Sequence, residues 1–119
     1  MGVKDGGLAP CKRTPNCVSS QTDAADREHY ITPITFRGSP ADLRRAVQSM
    51  ARATVISAEG NYLYAEYRTK LLRYVDDLEL YYDEKLGLVH VRSASRLGRR
   101  DFGVNRARVE ALRRIIAKL

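Results

Sequence analysis

From His29 onward, the spacing of apolar residues switches between a two-residue and a three-to-four-residue period. The run His29-Tyr30-Ile31-Thr32-Pro33-Ile34-Thr35-Phe36-Arg37 alternates and carries β-formers, which predicts a strand; Pro33 inside it predicts an edge or irregular position. Ser39-Pro40-Ala41-Asp42 reads as a helix opening, with Ser39 able to cap, Pro40 suited to the first turn and Asp42 at the positive helix end. Leu43, Ala46, Val47 and Met50 then share one face, opposite Arg44, Arg45, Gln48 and Arg52, and the helix is expected to end near Ala53. Four strands follow: Thr54–Ala58, Asn61–Thr69, Tyr74–Asp83 and Leu88–Ser93, with turns at Glu59-Gly60 and Gly87. Val104–Lys118 returns to helical spacing, with Val109, Leu112, Ile115, Ile116 and Leu119 inward and Asp101 or Asn105 as candidate caps.

Short turns between alternating runs imply antiparallel pairing. The expected fold is therefore α+β, in the order β-α-β-β-β-β-α, with both helices packed on one face of an antiparallel sheet. That order is similar to the TATA-binding-protein half-domain, a likeness of fold that carries no function. Residues 29–119 form this single domain. Residues 1–28, rich in Gly, Pro, Ser and charge, read as an extended, turn-filled arm.

Composition narrows the class. At 119 residues, with 44% hydrophobic and 29% charged residues, the chain is one globular domain rather than a disordered or fibrous one. No apolar run approaches the ~20 residues of a membrane-spanning helix. Charge is placed unevenly: up to Val91 there are twelve basic and twelve acidic residues, and from Arg92 onward nine basic against two acidic, so the whole net charge of +7 lies in the last quarter. Such a patch suits an anionic partner, or simply a solvated helix face.

No phosphate-binding glycine loop, zinc-protease helix, calcium loop or nucleophile elbow is present, and no cofactor or metal is expected. His29 and His90 both fall on predicted strands, where packing is the commoner role. Cys11 and Cys17 cannot build a zinc site alone; a local disulfide in an oxidising compartment and two reduced thiols are both open. Leu8-Ala9-Pro10-Cys11 is similar to a bacterial lipidation site, but Met1 to Gly7 supplies no apolar signal segment. Asp76 and Asp77 are strand neighbours and point to opposite faces, so they cannot form a paired acid/base site. Asp76 shares its side with Leu78, Leu80 and Tyr82 and needs a cationic partner, for which Arg96 and Arg106 are candidates.

The densest candidate is Arg92 to Arg106. Arg92, Ser93, Ser95, Arg96, Asn105 and Arg106 gather where the last strand passes into the last helix, and free backbone N–H groups with Arg make an anion site there. The competing reading is a structural polar network through Asp76, Asp101 and Glu110 that fastens a loop.

The residues Cys11-Lys12-Arg13-Thr14-Pro15-Asn16-Cys17-Val18-Ser19-Ser20, Tyr74-Val75-Asp76-Asp77, and Val91 to Arg96 continuing through Asp101-Phe102-Gly103-Val104-Asn105-Arg106 to Arg108-Val109-Glu110 carry a likeness that spans nearly the whole chain. On them the sequence resembles the domain-of-unknown-function family numbered 1499, mostly bacterial with relatives in plants. Lys12 departs from the Pro that the family often has after the first Cys, which loosens the arm. The resemblance implies no reaction. Many members carry a signal or anchor before the domain, which would imply a cell-envelope location; the sequence itself leaves the compartment open.

Three functional readings follow from these residues. The first is a non-enzymatic binding domain whose Arg/Ser/Asn site takes an anionic small molecule or protein. The second is nucleic-acid binding through Arg106, Arg113 and Arg114 of the basic last helix; docking on the open sheet face is disfavoured, because Glu66, Asp77, Glu79 and Asp83 would repel phosphates there. The third, a hydrolase using Cys17 or Asp76, rests on no spacing in the sequence.

Overall fold

The computed structural model describes residues 1–70 and 73–119. A small hairpin, β1 (Val3–Lys4) and β2 (Gly7–Leu8), comes first, followed by β3 (Cys17–Ser19), β4 (Ile34–Thr35) and helix α1 (Pro40–Gln48). Then come β5 (Ala53–Glu59), β6 (Tyr62–Arg68), β7 (Val75–Asp83), β8 (Leu88–Ser95) and helix α2 (Val104–Ala117). The main sheet runs β3-β8-β7-β6-β5, with β4 also paired to β8, and every named strand pair is antiparallel. The α+β class and the four-strand meander are as the sequence predicts.

Before α1 the structure differs from the single expected strand. Pro33 interrupts the alternating run, which keeps only Ile34–Thr35 as a strand and a parallel bridge at Tyr30. His29 sits in the turn before that bridge. The arm also supplies β3, whose residues Cys17, Val18 and Ser19 are all buried against β8.

Local chemistry explains the helix starts. Ser39 Oγ accepts from Asp42 N at 3.3 Å while an Asp42 carboxylate oxygen accepts from Ser39 N at 3.2 Å, a reciprocal cap with Pro40 in the first turn. The helix stops at Gln48, earlier than Ala53, with Ser49 as its C-cap, and Arg52 then adopts a left-handed backbone (φ 65°) that turns the chain into β5. At α2 the capping residue is Gly103 (φ 79°), and Asp101 reaches in from outside: its carboxylate accepts from Gly103 N at 2.8 Å and Asn105 N at 3.1 Å.

Both helices contribute to one core against one sheet face. Leu43, Ala46 and Val47 from α1 and Val109, Leu112 and Ile116 from α2 meet Leu63, Ala65, Leu78, Leu80, Tyr82, Val89 and Val91. Register places Asp76 and Ser95 opposite each other on that same face, at the end where the apolar set runs out.

The other face is not an open platform. Gly2 N donates to Glu79 Oε2 at 2.8 Å, which lays the N-terminal segment over the sheet. Glu79 is fully buried there and Asp77 nearly so, so the four-carboxylate open face expected from alternation is partly covered.

Candidate functional site

Asn105 and Arg108 stand one turn apart on the inward stripe of α2 that also carries Val109, Leu112 and Ile116. Arg108 Nη2 donates to Asp76 Oδ2 at 2.7 Å, and its Nη1 donates to Asn105 Oδ1 at 2.7 Å and Ser93 Oγ at 3.2 Å. The guanidinium lies 3.9 Å from the centre of the Tyr67 ring, a cation–π contact in a dry setting. The Asp76 and Arg108 side chains are only 3% and 2% exposed, which makes this a buried ion pair.

Asn105 ties the pair to the loop and the arm. Its amide nitrogen faces Asp101 Oδ2 at 2.7 Å, Ser95 Oγ at 2.9 Å and the Asn16 carbonyl at 3.2 Å. Asn16 Nδ2 in turn donates to the Gly98 carbonyl at 2.8 Å. The network therefore fixes three separate segments: the arm, the end of β8 and the loop before α2.

Beside it opens a cavity of about 620 Å³. Asp76 and Ser95 line its polar end, and Tyr74, Leu97, Phe102 and Val104 supply apolar wall. Lys70 and Arg100 bring positive charge to the same cavity. Phe102 is 94% exposed and holds a left-handed backbone (φ 53°), which is uncommon for a bulky side chain. Arg108 engages only one oxygen of Asp76, and among the described residues nothing donates to the other.

The residues singled out in the sequence divide between the two sheet faces. Ser93, Ser95, Asn105, Asp76 and Asp101 come together as described. Arg92 and Arg96 point to the opposite face, by the same alternation that separates Asp76 from Asp77. Arg92 lies 3.6 Å from Glu79, a fully buried carboxylate that also accepts from Tyr62 OH at 2.6 Å. Arg96 binds Asp77 Oδ1 at 2.8 Å, Glu66 Oε2 at 2.7 Å and Tyr64 OH at 2.8 Å.

Burial pushes the Asp77 carboxyl up, but the Arg96 and Tyr64 hydrogen bonds outweigh it and hold it below the ordinary range. Burial and the Asp77 carboxylate push the Tyr64 phenol to about 12. Arg106 lies outside the cluster and donates to the carbonyls of Arg27 and Glu28. Glu110 pairs with Arg113 on the surface, and Arg113 also donates to the Pro33 and Thr32 carbonyls. The partner of Asp76 is thus Arg108, in place of Arg96 or Arg106.

Cys11 and Cys17 are joined in a disulfide, so neither is a free thiol. His29 clasps the loop they close. Its Nδ1 lies 2.8 Å from Asp26 Oδ2 and its Nε2 3.0 Å from the Thr14 carbonyl, both pure acceptors, so the imidazolium satisfies both. Burial pulls the His29 pKa down, but Asp26 and the Thr14 carbonyl raise it above the ordinary value. Among the described residues no group of three or more His, Cys, Asp and Glu could hold a metal ion, and no helix is long and apolar enough to cross a membrane.

Fold and site together define a small α+β domain with an apolar-walled cavity over a buried Asp–Arg pair. Residues 7–116 match the family described as "Protein of unknown function (DUF1499)", and the chain belongs to that family. Neither the curated proteins nor the solved structures returned a significant match.

Proposed function

We propose that this protein is a binding domain for a small amphipathic anion, taken up in the cavity between the β8–α2 loop and the start of β7. The observation that carries this reading is the juxtaposition of a buried charge pair with exposed apolar side chains. A soluble domain gains little from a buried ion pair that apolar residues of similar volume could replace. Solvent-facing Leu97 and Phe102 likewise favour solubility less than polar residues would. A ligand makes sense of both. Its apolar body would lie against Tyr74, Leu97, Phe102 and Val104, its anionic group would meet Lys70 and Arg100, and a donor on it would reach Asp76 and Ser95. The Asn105 network then serves to hold these groups still, so Ser93 and Asn105 are positioning residues.

The nucleic-acid reading loses support from Arg106 and Arg113, which are occupied with backbone carbonyls. The hydrolase reading loses Cys17 as a thiol to the Cys11–Cys17 link, and its other candidate, Asp76, is engaged by Arg108. A thermal-shift screen of medium-chain carboxylates and sulfonates tests the proposal. At least one class is expected to stabilise the wild type and not the Leu97→Ser/Phe102→Ser variant. Equal stabilisation of both proteins, or of neither, would overturn it.

A further inference from the structure

Four cations surround a second, smaller cavity of about 230 Å³ where β5 begins, β6 ends and β7 begins. Arg52, Arg68, Lys70 and Arg73 line it together with Thr54 and Thr69, and among the described residues no carboxylate does. Arg68 N donates to the Arg52 carbonyl at 3.0 Å, which brings the two arginines out at the same end of the sheet. Arg68 has one acidic neighbour among the described residues, Glu66, whose Oε1 lies at a long 3.7 Å while its Oε2 is bound by Arg96 at 2.7 Å. Among the described residues Arg52, Lys70 and Arg73 have no acidic partner within ion-pair distance.

Like charges gathered around one hollow repel each other, and a protein offsets that cost when an anion occupies the centre. Arg52 and Arg73 moreover both hold left-handed backbone conformations (φ 65° and 54°), where a long side chain is uncommon. At ~30 Å³ per water, the hollow holds several water-sized groups, the scale of a phosphoryl group. Planar guanidinium forks and threonine hydroxyls are the donors that tetrahedral oxyanions use.

We infer that this notch is a phosphate-class anion site, built by Arg52, Arg68, Lys70 and Arg73 and separate from the apolar-walled cavity, with which it shares only Thr69 and Lys70. The ligand is a phosphoryl group, carried either by a soluble phosphorylated solute or by a lipid headgroup. The site stands whether or not the larger cavity takes a ligand.

Titration of the full chain with inorganic phosphate at fixed ionic strength, followed by amide chemical shifts, is the first arm. Saturable shifts at Thr54 and Thr69 are expected, with affinity weakened by roughly tenfold or more in Arg73→Glu, the scale of one lost charge-assisted hydrogen bond. Arg52→Asn, which tolerates the left-handed backbone, is expected to keep the fold and lose affinity as well. The Leu97→Ser/Phe102→Ser variant is expected to bind phosphate as the wild type does, which separates this site from the cavity reading. Co-sedimentation with phosphatidylcholine vesicles, with and without phosphatidic acid, is the second arm. Phosphate binding without vesicle capture assigns a soluble ligand, and capture that depends on phosphatidic acid and on Arg73 assigns a headgroup. Shifts no larger than chloride produces, with no vesicle capture, would overturn the inference, as would wild-type affinity in Arg73→Glu.

Discussion

Arg108 and Asp76 meet at 2.7 Å from opposite layers of the fold, one on α2 and one on β7, with both side chains shut away from solvent. Removing either partner alone strands a charge in a dry interior, whereas replacing both with apolar groups of similar volume removes the problem. These two operations separate what the pair does for stability from what it does for the cavity.

Arg108→Met is expected to cost about 3–5 kcal/mol, because Asp76 is left buried and uncompensated. Asp76→Leu combined with Arg108→Met is expected to recover most or all of that loss. Denaturant titration of the three proteins measures it. A double variant as unstable as the single one would show that the hydrogen bonds to Ser93 and Asn105, rather than the charge pair, carry the stability.

Leu97→Ser and Phe102→Gly are expected to change stability by no more than about 0.5 kcal/mol, since both side chains face solvent. Phe102→Gly removes an uncommon backbone demand as well, so a small gain is the expected sign. A large loss in either variant would mean that these side chains pack against the protein itself.

On the other sheet face, Arg96 and Tyr64 hold Asp77 below its ordinary pKa. A depressed folded-state pKa contributes stability above the unfolded value of about 3.8, and that contribution disappears as pH falls through the folded value. The stability gap between wild type and Arg96→Gln is therefore expected to be constant above about pH 5 and to close under acid. A gap that persists unchanged at the lowest pH would remove the carboxylate from the explanation.

His29 works with the opposite sign. Its raised pKa means that the clasp between Asp26 and Thr14 is fully present below the ordinary value of 6.5 and is lost as pH rises through the folded value. His29→Gln should therefore lose more stability, relative to wild type, at pH 5 than at pH 9. Opening the disulfide that closes the same loop is expected to cost about 2 kcal/mol, given the short separation of six residues. Melting with and without reductant at the two pH values tests both expectations; pH-independent differences would contradict the first.

Much of this was legible in particular residues. Ser39, Pro40 and Asp42 announced α1, and the alternation in Val75–Asp83 and Leu88–Ser95 announced the central strands. That alternation also places Arg92 and Arg96 across the sheet from Ser93 and Ser95, which grouping by proximity in the chain obscures. Arg108 was marked as inward by its place among Asn105, Val109, Leu112 and Ile116, but its charge hid it among residues expected to face water. The arm is different in kind. Cys17–Ser19 becomes a strand only because the edge of β8 is there to pair with, and Glu79 is covered in part by residues at the chain's start. Contacts at such separation leave no periodicity to read. The notch at Arg52 and Arg73 was invisible for the same reason: balanced charge along the first 91 residues says nothing about where folding gathers it.

The binding reading is tested most directly by native mass spectrometry of wild-type protein and of the Asp76→Leu/Arg108→Met variant, each incubated with a lipid and metabolite extract of its own host. The expected result is a discrete non-covalent adduct on the wild type that is missing from the folded double variant. An adduct of the same mass on both proteins that survives Arg73→Glu, or none on either, would contradict a ligand site built on the Asp76–Arg108 pair.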